Sequence, residues 1–206
     1  MYLQRKLKNN DNFFKKIKDL DFSLLFCILL LGFISLATMY STDGGEALFH
    51  TKSHFYKLIV FTFLMLVVSF LNIKFWFSVG YLSYLVTTAM LIYTINFGIT
   101  ASGSQRWMDL YFINIQPSEL MKIFIILCLA KFFHRKRLEN VNSFYSVIIS
   151  LIIIFLPMSL VIIQPDLGTS LLISISGIVV LWFAGLNHKY FFYSFLISIL
   201  SLPFLI

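Results

Sequence analysis

Seven long apolar runs limit what this chain can fold into more than any other feature. They occupy residues 22–40, 56–71, 75–95, 120–133, 144–163, 167–186 and 190–206. A bilayer core takes about 20 consecutive apolar residues of helix. Inside hydrocarbon every backbone N–H and C=O must find a partner within the protein, which leaves helices or a closed barrel. The runs lack the alternation of a barrel strand, so the reading is helical. With 59% hydrophobic and only 12% charged residues, a water-soluble globule and a disordered chain are both excluded. The expected fold is all-α, a polytopic transmembrane helix bundle with about six complete spans and a truncated seventh. Runs 56–71 and 120–133 are short, and their polar flanks are expected to complete them. The last run reaches Ile206 with nothing polar after it, so the chain is expected to be incomplete at its C-terminus.

Charge then sets domains and orientation. Residues 1–21 form a basic tail and residues 22–206 the membrane domain. The tail carries Arg5, Lys6, Lys8, Lys15, Lys16 and Lys18, and no small-residue cleavage site ends the apolar run behind it, so it is not a cleavable signal. Its Leu7, Phe13, Phe14, Ile17 and Leu20 suit a short helix on anionic lipid, and a solvated linker fits equally well. An inside N-terminus puts twelve of the 16 Lys and Arg on inner segments, namely those six with Lys74, Lys131, Arg135, Lys136, Arg137 and Lys189. Lys52, Lys57, Arg106 and Lys122 fall outside. That asymmetry marks a cytoplasmic N-terminus. The net charge of +7 is therefore a topology signal, and the scattered basic residues exclude a nucleic-acid surface. Cys27 and Cys128 both lie within apolar runs and read as small buried residues, with no disulfide and no metal motif.

Three polar strings break the apolar pattern, all on the outer side. The first is Gly103-Ser104-Gln105-Arg106-Trp107, followed by Asp109. Arginine forks onto phosphate or carboxylate, and tryptophan favours the membrane interface. The plain alternative is a snorkelling arginine paired to a lipid phosphate or to Asp109. The second string is Gln116-Pro117-Ser118-Glu119, with Lys122 one turn deeper. Pro117 suits a first helical turn, Glu119 complements the helix dipole, and Glu119 and Lys122 can pair at i,i+3. The third is Gln164-Pro165-Asp166-Leu167-Gly168-Thr169. Pro165 stops one helix and Asp166 can cap the next; its other reading is an outward carboxylate toward substrate hydroxyls, a metal or a basic neighbour. Ionisable groups beside hydrocarbon are functional candidates by default. His50 and His54, spaced i,i+4, lack an evident third ligand for a zinc site.

Taken together, Gly103 to Leu110, Gln116 to Glu119 with Lys122, and Gln164 to Thr169 resemble the SEDS proteins (shape, elongation, division and sporulation; RodA, FtsW and SpoVE) in order and spacing. The Gln-Arg-Trp-x-Asp-Leu form is closer to the elongation branch, RodA, than to the division branch, FtsW. The likeness covers essentially the whole chain. It implies a peptidoglycan glycosyltransferase of ten helices in the bacterial cytoplasmic membrane, polymerising lipid II outside it beside a class B penicillin-binding protein. It implies that Arg106 and Lys122 face the departing undecaprenyl pyrophosphate. Glu119, Asp166, Gln116 and Gln164 would then order that basic site or touch the sugar. No cofactor is written in the sequence, and the resemblance leaves room for a divalent cation. The catalytic residue is unknown within this chain: the family's base is an aspartate in an outer loop that would follow Ile206, so the isolated chain is expected to be inactive. Two other classes compete. A lipid-linked precursor flippase predicts polar residues at span midpoints, and a non-catalytic membrane scaffold predicts small-residue helix faces.

Overall fold

The computed structural model describes residues 18, 20–46, 48–101, 104–109, 114–134 and 136–191. The expectations for the basic tail through residue 17, for Gly103 and Arg135, and for the apolar run past 191 fall outside those residues. Helices cover the first six apolar runs: α1 (Phe22–Thr42), α2 (Phe49–Phe70), α3 (Ile73–Phe97), α4 (Pro117–Phe133), α6 (Phe144–Ile163) and α7 (Leu167–Phe183), with a single turn α5 (Leu138–Val141) between α4 and α6. Among the described residues, α1, α2, α3 and α6 are long and apolar enough to cross a membrane, and α7 is a shorter apolar helix. The molecule is an integral membrane protein of helical build.

The chain divides into two compact units, Met1–Asn72 and Ile73–Ile206. The described part of the first is the hairpin of α1 and α2. Asp21 caps α1 by accepting from the Ser23 and Leu24 N–H groups at 3.0 and 3.1 Å. The turn is closed by Gly44 and Gly45 at φ +81° and +84°, a region that L side chains rarely enter. Helix α2 starts at Phe49, ahead of its apolar run, so the polar flank 49–55 completes the short span. Its first turn is held by Asp43, whose Oδ2 accepts from the Thr51 N–H at 3.0 Å and the Thr51 hydroxyl at 2.6 Å. These two bonds hold the Asp43 carboxyl below the usual carboxylate range. Farther in, Ser35 Oγ and His54 Nε2 bond at 2.9 Å. Gly32 faces Leu58 and is the sole buried residue among those described in this unit.

The second unit has a true core of Leu91, Met121, Ile125, Leu129, Val161 and Ile173, each almost wholly buried. Helix α4 is its axis, with α3, α6 and α7 packed around it. In lipid, close backbone approach and internal satisfaction of polar groups replace hydrophobic collapse as the force between helices. A Cβ at Gly177 would stand 2.6 Å from Ile154 Cγ1, so α6 and α7 meet where a side chain is missing. Hydroxyls in the spans turn back onto their own helices: Thr87 bonds the Ser83 and Tyr84 carbonyls, Ser150 the Ser146 carbonyl and Ser174 the Ser170 carbonyl.

Pro157 sits inside α6, where its missing N–H strips the Ile153 carbonyl of its helical partner. The Tyr84 hydroxyl of α3 donates to that same Ile153 carbonyl at 3.0 Å. An orphan acceptor in hydrocarbon costs several kcal/mol, on the order of 1–3 for the desolvated group alone. Tyr84 therefore makes the proline tolerable.

Residues 98–116 connect α3 to α4. They contain an antiparallel sheet, β1 (Ile99–Ala101), β2 (Ser104–Asp109) and β3 (Asn114–Ile115), in the order β1-β2-β3. Backbone this close to hydrocarbon needs partners, and three short strands supply them.

Candidate substrate-binding site

The sheet carries Arg106, and its irregularity aims it. Ile99 pairs with Trp107 and Thr100 with Gln105, so one step along β1 spans two along β2. Arg106 is the extra residue of that bulge. A bulge bends its strand and redirects the side chain. Here it sends the guanidinium to the turn between α6 and α7. Nε donates to the Gln164 carbonyl at 3.1 Å, Nη2 donates to the Pro165 carbonyl, and Nη1 lies 3.7 Å from Asp166 Oδ2.

Asp166 is held from three sides. It caps α7, accepting from the Thr169 N–H at 3.2 Å and the Thr169 hydroxyl at 2.7 Å. The Gln116 amide, at the N-terminus of α4, donates to its Oδ2 at 3.2 Å. Arg106 supplies the charge. Thr169 and Gln116 already supply two donors to Oδ2, and 3.7 Å exceeds hydrogen-bond reach. The pairing with Arg106 is thus Coulombic, and the Nη1 donors are not consumed by it. A guanidinium has five N–H donors, and two are committed to carbonyls. The rest form an edge that can fork onto a phosphate. The Arg106 side chain is 29% exposed and that of Asp166 12%.

Gln164 does not offer its side chain outward. It is 4% exposed, and its amide donates inward to the Leu91 carbonyl at 3.2 Å and Thr94 Oγ1 at 3.0 Å. Glu119 and Lys122 form the expected i,i+3 pair, 2.8 Å apart within α4, with Glu119 more than half exposed. Such an exposed pair is worth about 0–1 kcal/mol, so a stronger anion can take the lysine over. Pro117 opens α4 as anticipated, and Ser118 behind it has a buried hydroxyl with no hydrogen-bond partner among the described residues. Arg106, Gln116, Gln164 and Asp166 therefore converge, while Glu119 and Lys122 make a closed pair on the first turns of α4. Among the described residues no group of three or more His, Cys, Asp or Glu side chains is placed to share a metal ion. His50 and His54 both lie on α2, and His54 bonds Ser35. Two features escaped the sequence reading. The bulge has no residue signature, and Thr94 looks like any other hydroxyl in an apolar run; only Gly98, closing α3 four residues on, hinted at close packing there.

The family described as cell cycle protein, FtsW/RodA/SpoVE, matches residues 19–206. The chain belongs to that family. All three polar strings lie within the matched region. The probable peptidoglycan glycosyltransferase FtsW of Buchnera aphidicola subsp. Baizongia pistaciae is 28% identical over 197 residues, covering 92% of this chain and 52% of that protein. The peptidoglycan glycosyltransferase MrdB of Escherichia coli K12 is 39% identical over 110 residues, 52% of this chain and 28% of that protein. The crystal structure of the rod shape determining protein RodA of Thermus thermophilus superposes with a TM-score of 0.73 at 21% identity, over 88% of this chain and 60% of that one. A chain in a peptidoglycan synthase complex, described as coordinating polymerization and crosslinking, gives 0.78 at 21% identity over 90% and 54%. The fold is that of the FtsW/RodA/SpoVE helical membrane domain. The chain spans about half the length of the FtsW relative that it matches almost end to end.

Proposed function

We propose that this chain contributes the pyrophosphate-holding part of a RodA-like peptidoglycan glycosyltransferase, which polymerises lipid II during cell elongation. The observation that carries the reading is Arg106: a bulge aims it, two backbone carbonyls fix it, and its outer edge keeps donors for an anion. In the reaction the acceptor sugar hydroxyl attacks the anomeric carbon, and a lipid pyrophosphate departs with the growing negative charge. Preorganised positive charge at the departing group lowers that barrier. Arg106 supplies forked donors, and Lys122 a mobile point charge released from Glu119. Asp166 and Gln116 keep Arg106 facing the same ligand. Asp166 is unsuited to the base's role, because Thr169 and Gln116 hydrogen-bond its oxygens and Arg106 sets a positive charge 3.7 Å from one of them. The site faces the outer side of the bacterial cytoplasmic membrane, with the N-terminus inside, on the Lys/Arg asymmetry. A class B penicillin-binding protein is the expected partner, in line with the synthase complex whose chain shares this fold. A flippase finds less support, since span hydroxyls such as Thr87, Ser150 and Ser174 are spent on their own helices.

The test is binding of labelled lipid II to the chain in nanodiscs. Arg106→Ala should weaken it about a hundredfold, as loss of a charge-assisted forked contact does, and Lys122→Ala less. Parental affinity in both variants would sink the assignment.

A further inference from the structure

Arg106 is held by the carbonyls of the α6–α7 turn, so its position is only as well defined as that turn. The turn itself is pinned by a buried polar lock with α3. The Gln164 amide donates to the Leu91 carbonyl and to Thr94 Oγ1, and the Thr94 hydroxyl donates to the same Leu91 carbonyl at 2.9 Å. Three groups thus close a ring in which every donor is used, at a place where Leu91 and Thr94 are wholly buried. Such a ring in low dielectric is stiff, because each opened bond would leave an unpaired polar atom.

Thr94 reaches Arg106 by a second route. Its carbonyl accepts from the Gly98 N–H at 3.0 Å, where α3 stops and β1 begins. A Cβ at Gly98 would collide with that carbonyl, so glycine is required for the chain to leave the helix there. β1 then pairs with β2 and sets the bulge opposite Ile99 and Thr100 that aims Arg106. Thr94 therefore stands where the chain leaves α3 for the strands that carry the guanidinium, and its hydroxyl bonds the turn that receives it.

We propose that Thr94 and Gln164 are positioning residues, whose buried hydroxyl–amide lock holds the Arg106 guanidinium in register for the pyrophosphate of a lipid-linked ligand. The lock touches no ligand. It acts through the Gln164 and Pro165 carbonyls, which gives Gln164 an inward role. This rests on the reading of Arg106 as a pyrophosphate donor, and the experiment separates the two.

The experiment uses the full chain in nanodiscs with undecaprenyl pyrophosphate as the probe. Thr94→Val keeps the shape and removes the hydroxyl, and Gln164→Met removes the amide from the other side. Each should weaken binding about tenfold, the equivalent of one hydrogen bond's misplacement, while Thr94→Ser restores it. Thr87→Val is the matched control: it too deletes a buried hydroxyl on α3, but one bonded only within α3 and to Met121. It should bind like the parent. The Arg106 Nε–H resonance in 15N-arginine-labelled protein should lose its protection from exchange in Thr94→Val and keep it in Thr87→Val. Should Thr94→Val not fold, Gln164→Met decides. Equal losses in Thr94→Val and Thr87→Val would overturn the proposal as a general packing effect. So would parental binding by Thr94→Val or Gln164→Met while Arg106→Ala still loses the probe. Parental binding by Arg106→Ala would instead overturn the underlying reading.

Discussion

Asp43 and Asp166 do the same local job with the same partner type. Each accepts from a threonine's N–H and hydroxyl and so fastens the start of a helix, at 3.0 and 2.6 Å in one case and 3.2 and 2.7 Å in the other. They differ in everything beyond that. Among the described residues, Asp43's side-chain bonds stay within its hairpin, whereas Asp166 is reached by Gln116 from α4 and Arg106 from β2. A cap by itself is helix chemistry. A cap on which distant elements converge becomes the anchor of a charged site.

The largest expected effect is Asp166→Ala, which removes the cap and strips Arg106 and Gln116 of their partner at once. It should cost about 2–4 kcal/mol in unfolding measurements in mixed micelles, more than a cap alone. A loss of only about 1 kcal/mol would reduce Asp166 to the standing of Asp43. Next is Tyr84→Phe, a tie across helices without any charge. It should cost about 1–3 kcal/mol by leaving the Ile153 carbonyl orphaned. In a Pro157→Ala background that loss should largely vanish, because residue 157 regains its N–H; an undiminished loss would show that the hydroxyl serves something else. Smaller again is Thr169→Val, which leaves Gln116 and Arg106 on Asp166 and should cost about 1 kcal/mol, read by the same unfolding assay.

The smallest effect belongs to Asp43. Its carboxyl titrates below the ordinary range because Thr51 bonds the ionised form. The unfolded group takes up its proton first, near pH 4, so the contribution is intact above that value and is lost as pH falls through the lowered folded value. Amide exchange at Thr51 should therefore quicken only below about pH 4, and Asp43→Asn should show the quickened rate at neutral pH. No such acid dependence would remove the capping account of Asp43.

Much of this was legible in the residues because it is local. Twenty or so apolar residues form a membrane helix whatever surrounds them. Pro117 belongs at a first turn, and Asp166 before Leu167 and Gly168 reads as a cap, since both depend on neighbours in sequence. The short second run called for a polar extension, and α2 provides it from Phe49. The partners of those residues were not legible. Arg106 beside Asp109 suggested a local pair, yet it lies against a turn 58 to 60 positions later. Gln164 was expected to order the basic site or touch the sugar, but that its amide bonds Leu91 and Thr94 of α3 is written nowhere in the order of residues. Nothing in the order of residues says that Pro157 needs Tyr84.

The sequence by itself determined the solvent this protein lives in, its helices, where they start and stop, and the family to which it belongs. Those follow from transfer free energy and from backbone groups within a few residues of one another. Only the tertiary structure decided which polar groups of separate helices and strands share a partner. In hydrocarbon each such group must be satisfied by whatever the packing brings near. That is why Arg106, Asp166, Gln164 and Thr94, scattered along the chain, end as one constellation.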